Sequence, residues 1–397
     1  MAEQIAQGLL SGLRVIEMGF WVAAPAAAGL LADWGADVVK IEPPRGDPMR
    51  QFYRALAGVE LPGCPGFDLD NRGKRSVALD LADPAARDTV RALLANADVF
   101  ITNYRKDALA RLGLDYESLA ALNSRLVYGH VTGYGQDGPD CDRAGYDIGA
   151  FWARGGIASI LAQAGAPPAG SRAGFGDHTT ASHCLAGVLA ALLARERTGK
   201  GQLVDACLLR SGIYTIGFDV TQQLAFGAVT SAGKREESPS PTITCYRAGD
   251  GRWVWMLGVE ADRHWPRLCQ AFDLESLVSD PRFASAPLRA ANCKDLIRIL
   301  DEQFAKRPLA DWIPRLDAAD VWWAPVNTPE EVTRDQQAIA AGAFVDVPDG
   351  KGGTVKSVGS PVLFSGADVT PRRKVPEIGE HTLEVLAELR ESSDSAR

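Results

Sequence analysis

No apolar run in this 397-residue chain is long enough to cross a membrane. The longest early one, Gly19–Ala32, lies between Glu17 and Asp33, is broken by Pro25, and falls short of the ~20 residues a spanning helix needs. Met1-Ala2-Glu3-Gln4 has no basic character, so a secretory leader is not expected and the reading is cytoplasmic, with no membrane partner. A basic excess is also missing. Lys and Arg number 42 against 50 Asp and Glu, a net charge of −8, which argues against a nucleic-acid partner and leaves room only for a local anion pocket. Cysteine is sparse and unpatterned: seven residues, an odd number, with no C-x-x-C. They read as reduced, mostly buried thiols. The five histidines include no i,i+4 pair, so no metal site is expected. There is no G-x-S-x-G elbow, and Gly73-Lys74-Arg75 lacks the glycine spacing and hydroxyl of a Walker A loop.

What is present is ordinary for a soluble enzyme: 46% hydrophobic and 23% charged residues. Leu13–Met18, Asp37–Glu42, Ser76–Leu81, Asp98–Thr102 and Leu126–Val131 read as strands. Pro25–Trp34 and Pro84–Leu94 read as helices between them. Such alternation predicts an α/β fold with a parallel, Rossmann-like sheet. Residues from about 179 to 225 read as helical throughout. Tyr246–Met256 reads as a hairpin around Gly249-Asp250-Gly251, followed by helices near Asp262–Phe272 and Leu288–Lys306. Strand-like pieces around Val355–Leu363 and a helix from Thr382 come last, with a frayed tail at Glu391–Arg397. The expected division is a large domain over 1–225, a smaller α+β domain over 226–325, and a segment over 326–397 that returns to the large one.

Two glycine-rich stretches compete for attention. Gly133-Tyr-Gly-Gln-Asp-Gly138 matches G-x-G-x-x-G after a strand. Pro139-Asp140 follows where a dinucleotide fingerprint needs a helix to open, which disfavours a nicotinamide or flavin site. Gly174-Phe-Gly-Asp177-His-Thr-Thr180 precedes a strongly periodic helix. Asp177 there reads either as an N-cap, which Asp does well, or as a carboxylate at a helix N-terminus, where glycines let a ligand approach. Asn71–Ser76 is a short basic turn, either solvated or a phosphate clamp, and Arg111 is either a helix-end charge or a second anion contact. Trp21, Trp152, Trp322 and Trp323 read as core rather than as a cofactor box, though any of them can line a pocket.

Several stretches taken in order resemble one family: Leu13–Met18, Gly35–Glu42, Asn71–Ser76 with Leu79-Asp80-Leu81, Gly133–Pro139, Gly176-Asp177, Arg197–Gln202, Asp280–Phe283 and Ile378–Thr382. The chain is similar to the class III CoA-transferases, the group of formyl-CoA transferase, carnitine CoA-transferase and α-methylacyl-CoA racemase. The resemblance implies a ring-shaped subunit in an interlocked homodimer, with acyl-CoA and a carboxylic acid as substrates and no permanently bound cofactor. It places the nucleophile at Asp177 and CoA contacts at Val22, Ala23, Lys74, Arg75, Asn103 and Arg111. Tyr146-Asp147 falls where formyl-CoA transferases carry a Tyr–acid pair and racemases a His–Asp pair. Tyr146 therefore lacks the basic His of a racemase. Val22 stands in place of the Gln of formyl-CoA transferases, and 226–245 lacks their tetraglycine loop. The Phe151–Gly156 stretch and neighbouring tryptophans point to a bulky or aromatic acid.

The chemistry implied is attack by a carboxylate that is ionised near its ordinary pKa of about 3.9. Backbone amides over Gly176–Thr179 are the expected oxyanion donors. Three other readings stay open at this point: a racemase or isomerase of the same family, a CoA-binding protein without turnover, and a dinucleotide oxidoreductase built on Gly133–Gly138.

Overall fold

The computed structural model describes residues 8–52, 63–163, 165–228, 234–237 and 239–395. Met1–Gln4 and the last two residues of the Glu391–Arg397 tail lie outside these. The chain forms two compact units: one of Met1–Ile160, Ala169–Val229 and Gln337–Arg397, the other of Leu161–Pro168 and Thr230–Gln336.

The first unit is built on six parallel strands: β1 (Arg14–Met18), β2 (Asp37–Glu42), β3 (Arg75–Ala78), β4 (Val99–Thr102), β5 (Val127–Thr132) and β6 (Leu203–Cys207). Their order is β3-β2-β1-β4-β5-β6. All neighbours pair in parallel, with Ile16 opposite both Val39 and Phe100. β4 is Val-Phe-Ile-Thr and buried along its whole length, as a strand covered on both faces should be. One face carries α1 (Ala23–Asp33), joined through α2 (Pro65–Asn71); the other carries α3 (Pro84–Ala95), α4 (Lys106–Leu112) and α5 (Tyr116–Leu122). The long α6 (Phe175–Thr198) returns to the α1 face. Ala24, Ala27, Ala28 and Leu31 of α1 are fully buried. Small side chains let α1 lie close to its neighbours, and at Gly29 an added Cβ would stand 2.5 Å from the Asp70 carbonyl oxygen.

The order reverses between β1 and β4. In doubly wound sheets such a switch point opens a crevice beyond the carboxyl ends of the strands. The C-terminal segment contributes an antiparallel pair, Phe344–Pro348 with Thr354–Val358, and the helix Thr382–Ser395, docked on the β3 edge through His381 N–H to the Ser76 carbonyl. The tail is thus helical as far as Ser395.

The second unit has a three-stranded antiparallel sheet of Cys245–Arg247, Trp253–Met256 and Trp323–Pro325. Helices Ala261–Ala271, Cys293–Phe304 and Leu309–Ala318 pack around Tyr246, Trp265, Phe272, Phe304 and Trp312. The hairpin expected around Gly249–Gly251 is there. A further element departs from expectation. The stretch after Thr198 is not helical throughout, because Gly199 (φ 69°) closes α6 and Leu203–Cys207 forms the edge strand β6. All seven cysteines are free thiols.

Candidate active site

At the switch point a cavity of about 380 Å³ opens, lined by the loops after β1, β4 and β5 and by Asp177. The loop after β1 is fixed from two sides. The Asn103 side chain accepts from Phe20 N–H (3.0 Å) and donates to the Phe20 carbonyl (2.7 Å). Asp47 accepts from Trp21 N–H (3.2 Å), and Lys40 donates to the Gly19 carbonyl (3.0 Å). These bonds hold Trp21 at φ 66°, a left-handed conformation that costs a non-glycine residue about 1–3 kcal/mol. Tyr146, at φ 47°, is a second such residue, and the two rings meet edge-on at 6.3 Å. Two strained aromatic residues in contact mark this wall as a place where geometry is enforced.

The other two loops are tied together by His130. Its Nε2–H donates to the Tyr104 carbonyl and its Nδ1 accepts from the Gln136 amide, each at 2.8 Å. Burial lowers its pKa, which favours this neutral form. The G-x-G-x-x-G stretch opens no helix and forms a turn instead, whose Gly133, Gly135 and Gln136 face the cavity. At Gly133 a Cβ would come within 2.9 Å of the Gly145 Cα, so the glycine serves close backbone packing.

Asp177 is not the N-cap. Gly174 (φ 85°) holds that place, without a side-chain cap, and Asp177 is the third residue of α6. The capping anion arrives from elsewhere. Tyr146–Ala153 forms a π-helical turn, and the Asp147 Oδ1 within it accepts from Gly176 N–H at 3.0 Å. Asp147 is only 8% exposed, and its Oδ2 is buried without a hydrogen-bond partner. Burial raises its pKa, against the pull of the Gly176, Gly174 and Asp177 amides. At Gly176 a Cβ would overlap Phe151 Cγ (2.3 Å) and Asp147 Oδ1 (2.5 Å), so only glycine lets these two carboxylates share the helix end.

The electrostatic consequence corrects the simple expectation for Asp177. Burial, then the neighbouring Asp147 and Asp70 carboxylates, push its pKa up to about 7, with His178 opposing them. Asp177 is thus harder to ionise in the free protein than an ordinary aspartate. His178, next in sequence, places Nε2 3.0 Å from Oδ1 of the buried Asp70, and that hydrogen bond raises the imidazole pKa. Two of the expected oxyanion donors are committed too: Gly176 N–H to Asp147, and His178 N–H to the Gly174 carbonyl at 2.9 Å.

Of the sequence-derived candidates, Val22, Ala23, Asn103, Tyr146 and Asp177 line the cavity. Asp147 stands directly behind them on the Gly176 amide. The basic turn does not join them. Lys74 is fully buried, donating to Glu17 (2.9 Å), Asn71 (2.9 Å) and the Pro25 carbonyl (2.8 Å). Arg75 is held by Asp37, Glu384 and Glu388. Lys74 has its three N–H donors used inside the protein and Arg75 is enclosed by carboxylates, so the expected phosphate clamp at Lys74 and Arg75 is withdrawn. Arg111 lies exposed in the last turn of α4, outside the cavity lining. The cations that do line the cavity are Arg105, Lys106 and Arg143. Sequence reading missed them, although two directly follow β4, where the switch-point rule points. Trp21, for which core and pocket-lining places were both open, is a wall residue.

A family model for CoA-transferase family III matches residues 10–382. The chain belongs to that family, and it is a family III CoA-transferase. It is 32% identical over 384 residues to an (R)-2-hydroxy-4-methylpentanoate CoA-transferase of Clostridioides difficile, covering 96% of this chain and 95% of that one. A cinnamoyl-CoA:phenyllactate CoA-transferase of Clostridium sporogenes is 34% identical over 388 residues, covering 96% and 93%. Among solved structures, a CAIB/BAIF family protein from Brucella suis superposes with a TM-score of 0.85 at 31% identity, covering 96% of this chain and 100% of that one.

Proposed function

We propose that the protein moves CoA between carboxylic acids through covalent intermediates on Asp177. The observation that carries this reading is the Asp177 carboxylate in the first turn of a helix, lining a cavity that Arg105, Lys106 and Arg143 also line. The pantetheine arm of acyl-CoA lies along Val22, Ala23 and Asn103, and Arg105, Lys106 and Arg143 face its phosphates. An Asp177 oxygen attacks the thioester carbonyl, the C–S bond breaks, and CoA leaves as thiolate, giving a mixed anhydride. The thiolate then attacks the aspartyl carbonyl, and the donor acid departs as carboxylate. The acceptor acid reverses both steps on the aspartyl-CoA thioester. One thioester replaces another, so the exchange needs no ATP. Water must be kept from both intermediates, a task that suits the enforced Trp21–Tyr146 wall. The acceptor is proposed to be a bulky or aromatic monocarboxylic acid, in keeping with that wall and with the relatives named for (R)-2-hydroxy-4-methylpentanoate and phenyllactate.

The test is incubation with acyl-CoA, then hydroxylamine or borohydride trapping, with peptides read by mass spectrometry. The expected result is an adduct on the peptide containing Asp177, together with CoA exchange among a panel of acids. Solvent deuterium entering the α-carbon, with no exchange between acids, would replace this reading by a racemase.

We also propose an interlocked homodimer. Its support is the helix Gly217–Phe226, which has no buried residue and leaves Phe218, Leu224 and Phe226 about 80% exposed. Such apolar surface is unusual on a monomer. Tagged and untagged subunits mixed under native conditions should exchange over days or not at all, and dilution should yield no folded monomer. Exchange within minutes rules interlocking out.

A further inference from the structure

His178 is an ionisable side chain at the site that the exchange chemistry leaves without a task. It follows Asp177 directly on α6. Its ring lies over Gly174, where an added Cβ would stand 3.4 Å from Cε1, and its Nε2 faces Asp70 Oδ1 at 3.0 Å. A carboxylate only accepts, so Nε2–H is the donor, and Nδ1 is the atom that gains or loses the second proton. The charges around it are settled by three elements. Asp70 comes from α2 and is 4% exposed, Asp147 comes from the π-helical turn, and Asp177 is on its own helix. Lys74, whose charge Asp70 also feels, already donates to Glu17. Asp70, Asp147 and Asp177 therefore all act on this imidazole, whose side chain is 47% exposed and whose Nε2 edge is anchored on Asp70.

We infer that the Asp70–His178 pair is a positioning device that holds a protonated imidazole next in sequence to Asp177 and thereby favours the ionised form of the nucleophile near neutral pH. The inference rests on Asp177 being the nucleophile. Asp70 fixes the ring in one orientation and favours its protonated form, consistent with the raised pKa of His178. The imidazolium in turn lowers the cost of charge on Asp177 against Asp147 and Asp70, consistent with its opposing effect there. Without it, burial and two like charges would keep Asp177 protonated over more of the neutral range, and a protonated carboxyl is a poor nucleophile. His178 acts through Asp177 and touches no reacting atom in this scheme.

The test is the pH dependence of kcat/KM in wild type, His178→Gln and His178→Lys, with carbon-13 NMR titration of labelled aspartate carboxyls in the same proteins. Gln keeps a donor for Asp70 but carries no charge. The acid limb of His178→Gln is expected to move up by about one pH unit, which is roughly a tenfold loss at pH 6.5, with rates converging to within about twofold by pH 9. KM for acyl-CoA should change by less than about twofold. His178→Lys restores the charge and should recover most of the lost rate at pH 6.5. Asp70→Asn should move the limb in the same direction as His178→Gln. An unmoved acid limb, or an equal loss at every pH, overturns the proposal. The NMR arm needs no turnover. If Asp177 proves not to be the nucleophile, its carboxyl should still titrate higher in His178→Gln, and an unchanged titration sinks the coupling on its own.

Discussion

Asp177→Asn is expected to lose CoA transfer by roughly three to six orders of magnitude and, at pH 8, to unfold at a higher temperature than wild type. The loss follows from removing the attacking oxygen: an amide is neither anionic nor nucleophilic enough to open a thioester. The gain in stability has a separate origin. The folded-state pKa of Asp177, about 7, is above its ordinary 3.8, because burial and Asp147 disfavour the charged form. A carboxyl whose folded pKa is raised gives its full contribution to stability below the unfolded pKa. That contribution is lost as pH rises through the folded value. At pH 8 the wild type therefore carries a charge its fold resists, and asparagine has the same shape without the charge. The expected gain at pH 8 is about 1–3 kcal/mol after allowance for partial solvent access, shrinking towards zero near pH 4. Thermal unfolding of both proteins at pH 4 and pH 8, beside an exchange assay, checks both halves. A variant with near-normal transfer would falsify the assignment of the nucleophile. An inactive variant with no gain at pH 8 would mean that Asp177 is ionised at no cost.

The position of Asp177 was legible in the sequence, but its chemistry was not. Gly174, Gly176 and the periodic run behind them announce a helix opening at a tight backbone approach. Nothing within that run shows that Asp147, 29 residues before Gly176, supplies the cap and adds to the effect of burial in raising the pKa of Asp177. The parallel strands were readable because strands covered on both faces are short apolar runs, as Val-Phe-Ile-Thr in β4 illustrates. β6 was missed because Leu-Val-Asp-Ala-Cys carries a charge in its middle and follows a helix that looks able to continue. The basic turn was misread for a related reason. Lys74 and Arg75 look solvated when seen alone, yet Glu17 lies 57 residues before Lys74, and Glu388 lies 313 residues beyond Arg75. Local patterns predict elements; charge partners are set by topology.

Glu17 at the centre of that buried network gives the other large effect. Glu17→Gln is expected to destabilise the fold by roughly 3–5 kcal/mol, the usual result of stripping one member from a buried ion pair. Its two oxygens accept from Lys40 and Lys74, both at 2.9 Å, and all three side chains are fully buried. The two lysines are not equivalent. For Lys40, burial is outweighed by Glu17 and Asp47 together, and its pKa is held above the ordinary value. For Lys74, burial wins and Lys40 adds repulsion, so despite Glu17 its pKa is drawn down to about 8. Loss of Glu17 therefore falls hardest on Lys74, which keeps only the neutral Asn71 and Pro25 oxygens as direct acceptors. Glu17 itself is held below its ordinary pKa by the two lysines against the push of burial, so its contribution is present above about pH 4.5 and lost on acidification. The double variant Glu17→Gln/Lys74→Met should recover most of the lost stability, because an apolar side chain needs no counter-charge. Urea unfolding of the wild type, both single variants and the double variant closes the cycle, and a double variant no more stable than Glu17→Gln would show that Lys74 is not the group left unpaired. The effect should also reach the cavity. Lys40 joins Asp47 to the Gly19 carbonyl, and Asp47 accepts from Trp21 N–H. A Lys40 released from Glu17 is free to shift on Asp47, and the left-handed Trp21 loses part of its support. In Glu17→Gln the KM for acyl-CoA should therefore rise several-fold at temperatures where the protein is still folded, while the acid limb set by Asp177 stays in place.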